Sequence, residues 1–166
     1  ISSYTNLDQS PELRRHPILD DFVQSLKHEP LAIARFVQNE IELTDALDYV
    51  ATNQITAGVL KLGGINRSAL GTFLERQGSP AEQCALLIYL FRQAGIPAVY
   101  SLPQNSGIRM LDTRLSKMLR VQLKQAVDPV TLAVNTNHMV AVNYPWVSAY
   151  IDGKWVHLFP WIKDTE

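Results

Sequence analysis

Residues Gln77–Val99 read QGSPAEQCALLIYLFRQAGIPAV and hold the start, body and end of a single helix. Ser79 is placed to cap, Pro80 suits a first helical position where no N–H is needed, and Glu82 stands where a capping box puts its carboxylate. From Cys84 to Phe91 the segment is apolar on nearly every face, so protein should surround it. Gly95-Ile96-Pro97 then ends the helix, and Ala98-Val99 opens a strand. The expected helix covers 78–94. It raises a question of function, because Cys84 is the chain's one cysteine.

Upstream, a polar lead over residues 1–17 gives way to a helical part over 18–76. PILDDFVQSLKH sets Ile18, Phe22, Val23 and Leu26 on one helical face. A second helix starts near Pro30 and aligns Leu31, Ala34, Phe36, Val37, Ile41 and Leu43 in a stripe. Gly63-Gly64 punctuates a loop, and SALGTFLERQ supplies one more short helix. Downstream, over 97–162, the period changes to two. AVYSL, HMVAVNY, PWVSAYI and KWVHLF read as strands, and Asp152-Gly153 marks a tight hairpin that sets Tyr150 beside Trp155. Between the first strand and the rest, about 108–134 reads as a helical insertion. Its Arg114, Lys117, Arg120 and Lys124 recur at spacings of three and four, which makes either a solvated face or a partner-binding one. The expected architecture is α+β: helices, one of them buried, packed on an antiparallel sheet in a single domain over 1–166.

Composition narrows the partners. With 166 residues and 46% hydrophobic content the chain can bury a core without metals or disulfides. Fifteen Lys+Arg against sixteen Asp+Glu leave a formal net charge of -1, so no global field draws it to nucleic acid or anionic lipid. The longest apolar run, Ala85–Phe91, is too short to cross a bilayer, so no membrane insertion is expected. His16 and His28 lack ligand-type neighbours at metal spacing, and neither a metal nor a cofactor is expected. The start at Ile1 and the end at KDTE suggest a segment cut from a longer polypeptide.

Two stretches resemble the transglutaminase-like superfamily, whose core layout is shared with papain-type cysteine proteases. GSPAEQCALLIYLFRQAGIPA is similar to the family's Gly-x-Cys, hydrophobic helix and Gly-Ile-Pro-Ala run. PWVSAYIDGKWVHLFPW is similar to its His-Ala-Trp-Val-Glu-Val-Tyr hairpin into Trp-Val-x-Leu-Asp-Pro. The resemblance runs from the helix near Pro30 to Asp164 and implies a nucleophilic cysteine at the head of the buried helix with His and Asp on the sheet. The family's cysteine stands fifteen residues before the Gly-Ile-Pro glycine, which here is Pro80 and not Cys84. Its histidine is assigned to Pro145, immediately before Trp146, and its aspartate to Phe159. None of the three can titrate. Pro80 also lacks the N–H that a residue at a helix head could offer an oxyanion.

Cys84 lies one turn further along the same helix face, about 6 Å on. One reading makes it a small core residue; the other makes it a displaced nucleophile served by His157 or His138. Trp146, Trp155 and Trp161 are core residues of the hairpin or the lining of a ligand groove, Trp146 being a candidate partner contact. The resemblance leaves two functional classes. The first is a non-catalytic binding or structural module that engages a protein, a peptide or neighbouring domains inside a larger bacterial surface or secreted protein. The second is a thiol-dependent acyl transferase or peptidase built on Cys84.

Overall fold

The computed structural model describes residues 2–7, 10–44, 59–60, 65, 67–102, 108–111, 139–142 and 144–163. Helix α1 (Pro17–Ser25) begins at His16, whose Nδ1 accepts the Ile18 N–H at 3.2 Å, and α2 (Pro30–Glu40) also starts on a proline. Their buried positions are Leu19 and Val23 in α1, Ile33 and Val37 in α2. Ile18 and Leu31, placed in the apolar stripes by sequence, are exposed. The core-facing stripe is narrower than the apolar pattern, and Ile41 lies beyond the end of α2, just before strand β1 (Glu42–Leu43). Helix α3 (Ala69–Glu75) is capped by Ser68 and stops at left-handed Arg76, φ 58°.

Helix α4 (Pro80–Gln93) is buried from Pro80 to Arg92. Its capping box is complete: Ser79 Oγ accepts the Glu82 N–H at 3.1 Å, and Glu82 Oε1 accepts the Ser79 N–H at 2.8 Å. At the other end, Ile96 N–H bonds Phe91 O at 2.8 Å and Gly95 N–H bonds Arg92 O at 3.0 Å. That pair of bonds needs a left-handed residue between them, which Gly95 supplies at φ 80°. Leu86, Leu87, Ile88, Leu90 and Phe91 are at most 1% exposed. Each such side chain contributes about 1.5–3 kcal/mol on burial, which holds the helix at the centre of the core.

Strands β4 (Ala98–Ser101), β7 (Trp146–Ile151) and β8 (Lys154–Leu158) form an antiparallel sheet in the order β4-β7-β8. Val147 and Ala149 face α4 and are fully buried, so Trp146, Ser148 and Tyr150 lie on the other face. The β7–β8 hairpin turns at Asp152-Gly153, φ 52° and 79°, and pairs Tyr150 with Trp155, their rings 5.3 Å apart. The remaining pairings depart from an all-antiparallel layout. β1 runs parallel to β3 (Gln77–Gly78), and β2 (Val59–Leu60) runs parallel to β6 (Met139–Val142), which pairs antiparallel with β5 (Ile108–Leu111). The architecture is α+β, with mixed strand directions.

Two segment expectations change. The helical part over 18–76 also contains β1 and β2, because two-residue strands carry no periodicity to read. The start of the expected helical insertion is strand β5; Arg114, Lys117, Arg120 and Lys124 lie outside the described residues. The polar lead is part of the fold. Short 3-10 turns at Ser2–Thr5 and Pro11–Leu13 bring Leu13 into the core, and the lead is bonded to α4 and β4. Arg92 Nη1 donates to Asn6 O at 2.8 Å, Tyr100 Oη to Glu12 Oε2 at 3.0 Å, and the His16 N–H to Tyr89 Oη at 2.9 Å.

Candidate functional site

The first turns of α4 meet two short segments, Tyr144–Trp146 at the entry to β7 and Leu158–Lys163, which runs from the last residue of β8 into the turn after it. Pro80, Cys84, Tyr144, Pro145, Pro160 and Trp161 are all buried there. Pro145 is the hub through its carbonyl oxygen, which accepts Trp161 Nε1–H at 2.6 Å and the Cys84 thiol at 3.4 Å. Around it the aromatic rings close up. Trp161 meets Tyr144 edge-on at 5.0 Å and Phe159 edge-on at 5.9 Å, while Phe159 lies tilted against Trp146 at 5.5 Å. Apolar rings thus fill the space beside the Pro145 carbonyl.

Cys84 is enclosed, and burial pushes its thiol far above the ordinary thiol range, against the smaller pull of the Lys163 charge. A thiolate is the nucleophilic form, and burial removes the solvent that would support it here. Lys163 Nζ donates to Val37 O at 2.9 Å, to Gln83 Oε1 at 2.6 Å and to Pro160 O. Its site draws together the end of α2, the start of α4 and the turn after β8. Burial lowers its pKa from 10.5 to about 7, opposed by Cys84.

His157 is on the other side of the sheet. It pairs with Ser148, whose side chain points away from α4, and it is exposed. Its Nδ1 accepts Trp146 Nε1–H at 3.2 Å and contacts Ser148 Oγ at 2.9 Å, and Ser148 Oγ contacts Ser101 Oγ at 2.6 Å. With the Trp146 N–H directed at it, Nδ1 serves as acceptor and the ring proton sits on Nε2. His138 lies outside the described residues.

The sequence reading missed two residues here. Trp161, read as core or groove lining, is core and fills the centre; Lys163 ties three elements together and has no periodic or motif signal. Tyr144 had one. A His-Ala-Trp run sets its histidine two residues before its tryptophan, a spacing that counted from Trp146 reaches Tyr144 and not Pro145. Tyr144 also lacks a base, and burial pushes its phenol above the ordinary range.

Glu82, fully buried at the head of α4, bonds further than its cap. Its Oε1 accepts Arg67 Nη1–H at 2.9 Å and its Oε2 accepts the Arg67 N–H, so the loop before α3 is fastened to the helix start. Among the described residues no group of three or more His, Cys, Asp and Glu could hold a metal ion, and no helix is long and apolar enough to cross a membrane.

No protein-family model and no curated protein matches the sequence. Among solved structures, a Cytophaga hutchinsonii chain proposed to be a cysteine protease is similar at TM-score 0.40 and 18% identity, over 96% of this chain. The alignment spans 47% of that chain's length.

Proposed function

We propose that residues 1–166 form one transglutaminase-like domain that has given up acyl transfer and serves as a binding or structural module within a larger protein. The observation that carries this reading is the Cys84 thiol, fully buried and bonded to Pro145 O. Acyl transfer needs a thiolate, a base in hydrogen-bond reach and oxyanion donors. Pro80 has neither thiol nor N–H, Tyr144 and Pro145 offer no imidazole, and Phe159 offers no carboxylate. Filling such a site with rings is the stable outcome, since a buried imidazole or carboxylate left without partners costs several kcal/mol.

The competing thiol-enzyme reading has one supporting observation, the Lys163 charge that favours a Cys84 thiolate. It is outweighed by burial, and His157 is turned to the far face of the sheet. Iodoacetamide decides between the readings. Cys84 should stay unmodified in the folded domain and react fully in denaturant; rapid alkylation of the folded domain, quenched by a peptide electrophile, would establish the enzyme.

A further inference from the structure

Strand β8 is an outer strand of the β4-β7-β8 sheet. In a two-residue hairpin the residues flanking the turn, Ile151 and Lys154, exchange hydrogen bonds, and such pairs recur at every second residue. Lys154, Val156 and Leu158 therefore direct their N–H and C=O groups to β7. The phase is confirmed by Tyr150, whose N–H points the other way, to Pro97 O at 2.9 Å. Trp155 and His157 are out of step with this set and turn their main-chain groups outward. Among the described residues no main-chain hydrogen bond reaches them.

Beside the end of that edge is a cavity of about 170 Å³ between α2, α4 and the turn after β8. Ala34, Leu87, Leu158, Phe159 and Ile162 make it apolar, with Gln38 and His157 at its exposed rim. We propose that the β8 edge and this cavity bind one extended peptide, the main chain adding a strand and one bulky apolar side chain entering the cavity. Donor and acceptor pairs repeating every second residue, about 7 Å apart, match the main chain of another strand. The cavity adds the side-chain preference. A second copy of the domain fits less well: β8 paired antiparallel with itself about Val156 would set Lys154 opposite Leu158, bringing a cation to an apolar cavity. An exposed edge lysine guards against such self-pairing.

This extends the non-catalytic reading by supplying a partner class, and the two fail separately, one by thiol alkylation and the other by peptide titration. The probes are fluorescein-labelled hexapeptides alternating threonine with leucine, or with alanine as control, followed by fluorescence polarisation. The leucine peptide should bind saturably and the alanine peptide about ten-fold more weakly, a gap of about 1.4 kcal/mol. His157→Pro removes an outward N–H but none of the β7 ladder, and should weaken the leucine peptide about ten-fold. Ala34→Trp, which fills the cavity, should bring the two peptides to equal affinity. Protection of Cys84 from iodoacetamide shows that each variant is folded. Equal affinity of both peptides for the unmodified domain, unchanged binding by folded His157→Pro, or no saturation at millimolar peptide would each overturn the proposal. So would a dimer in sedimentation equilibrium that His157→Pro dissociates, which would assign the edge to a second copy.

Discussion

The Cys84 thiol lies 3.4 Å from the carbonyl oxygen of Pro145, and the same oxygen takes the Trp161 indole N–H at 2.6 Å. A thiol so placed is a hydrogen-bond donor locked into the core. Cys84→Ala should therefore act only on stability, lowering it by about 1 kcal/mol through one lost buried atom and its contacts. Equilibrium urea unfolding measures that loss.

Rebuilding the site should not rebuild the chemistry. Pro80→Cys and Phe159→Asp combined with either Tyr144→His or Pro145→His put polar groups among Trp161, Trp146 and Cys84, and should destabilise the domain by 2 kcal/mol or more, as ~1–3 kcal/mol per unsatisfied buried group implies. No transfer of a fluorescent amine to a glutamine-donor protein is expected from either combination. Turnover above that of the parent would show that a substrate path to α4 persists.

Glu82 carries both the α4 cap and the Arg67 anchor from a fully buried position. Glu82→Gln keeps the size but leaves the Arg67 guanidinium, 20% exposed, facing a neutral amide beside Glu75. Breaking one side of a buried pair costs about 3–5 kcal/mol, reduced here by the partial exposure of Arg67, and a fall in the denaturation midpoint is the expected outcome.

Lys163 gives the domain a pH dependence of definite sign. Burial lowers its pKa from 10.5 to about 7, so between those values the unfolded chain holds a proton that the folded one has released. Stability contributed by this group then rises with pH across that window. Urea midpoints at about pH 6.5 and about pH 9.5 should differ in that direction, and the difference should shrink in Lys163→Met. The same variant should be less stable than the parent at about pH 9.5 by about 2–3 kcal/mol, because Val37 O, Pro160 O and Gln83 Oε1 lose their donor, and the loss should be smaller at about pH 6.5, where the parent carries the cost of a buried charge.

Gly95 and Gly153 sit at φ 80° and 79°, with open space where a Cβ would go. Alanine at either position meets no clash, so its cost is the backbone's alone, about 1–2 kcal/mol. Thermal melts of Gly95→Ala and Gly153→Ala should show comparable losses.

Local signals in the chain determined helix α4 and the β7–β8 hairpin. The capping box, the Gly95 stop and the Asp152-Gly153 turn are each complete within a few residues, and their energies do not wait for the rest of the fold. The α+β class follows from them together with the period-two strands. The helical stripes were legible only in part: Phe22 and Val23 pack as read, but Ile18 and Leu31 are exposed, because one helix face touches the core and apolarity alone does not choose which.

Only the tertiary structure decided the setting of Cys84. A cysteine at the head of CALLIYLF is equally a core residue or a nucleophile until the distant segments Tyr144–Trp146 and Leu158–Lys163 are folded against it, since thiol acidity depends on what excludes water and what charge stands near. The outward turn of His157 was likewise settled by register, in which a shift of one residue would have reversed its face. So was the outer place of β8 among the described strands, because a strand is an edge only by virtue of the neighbours beside it.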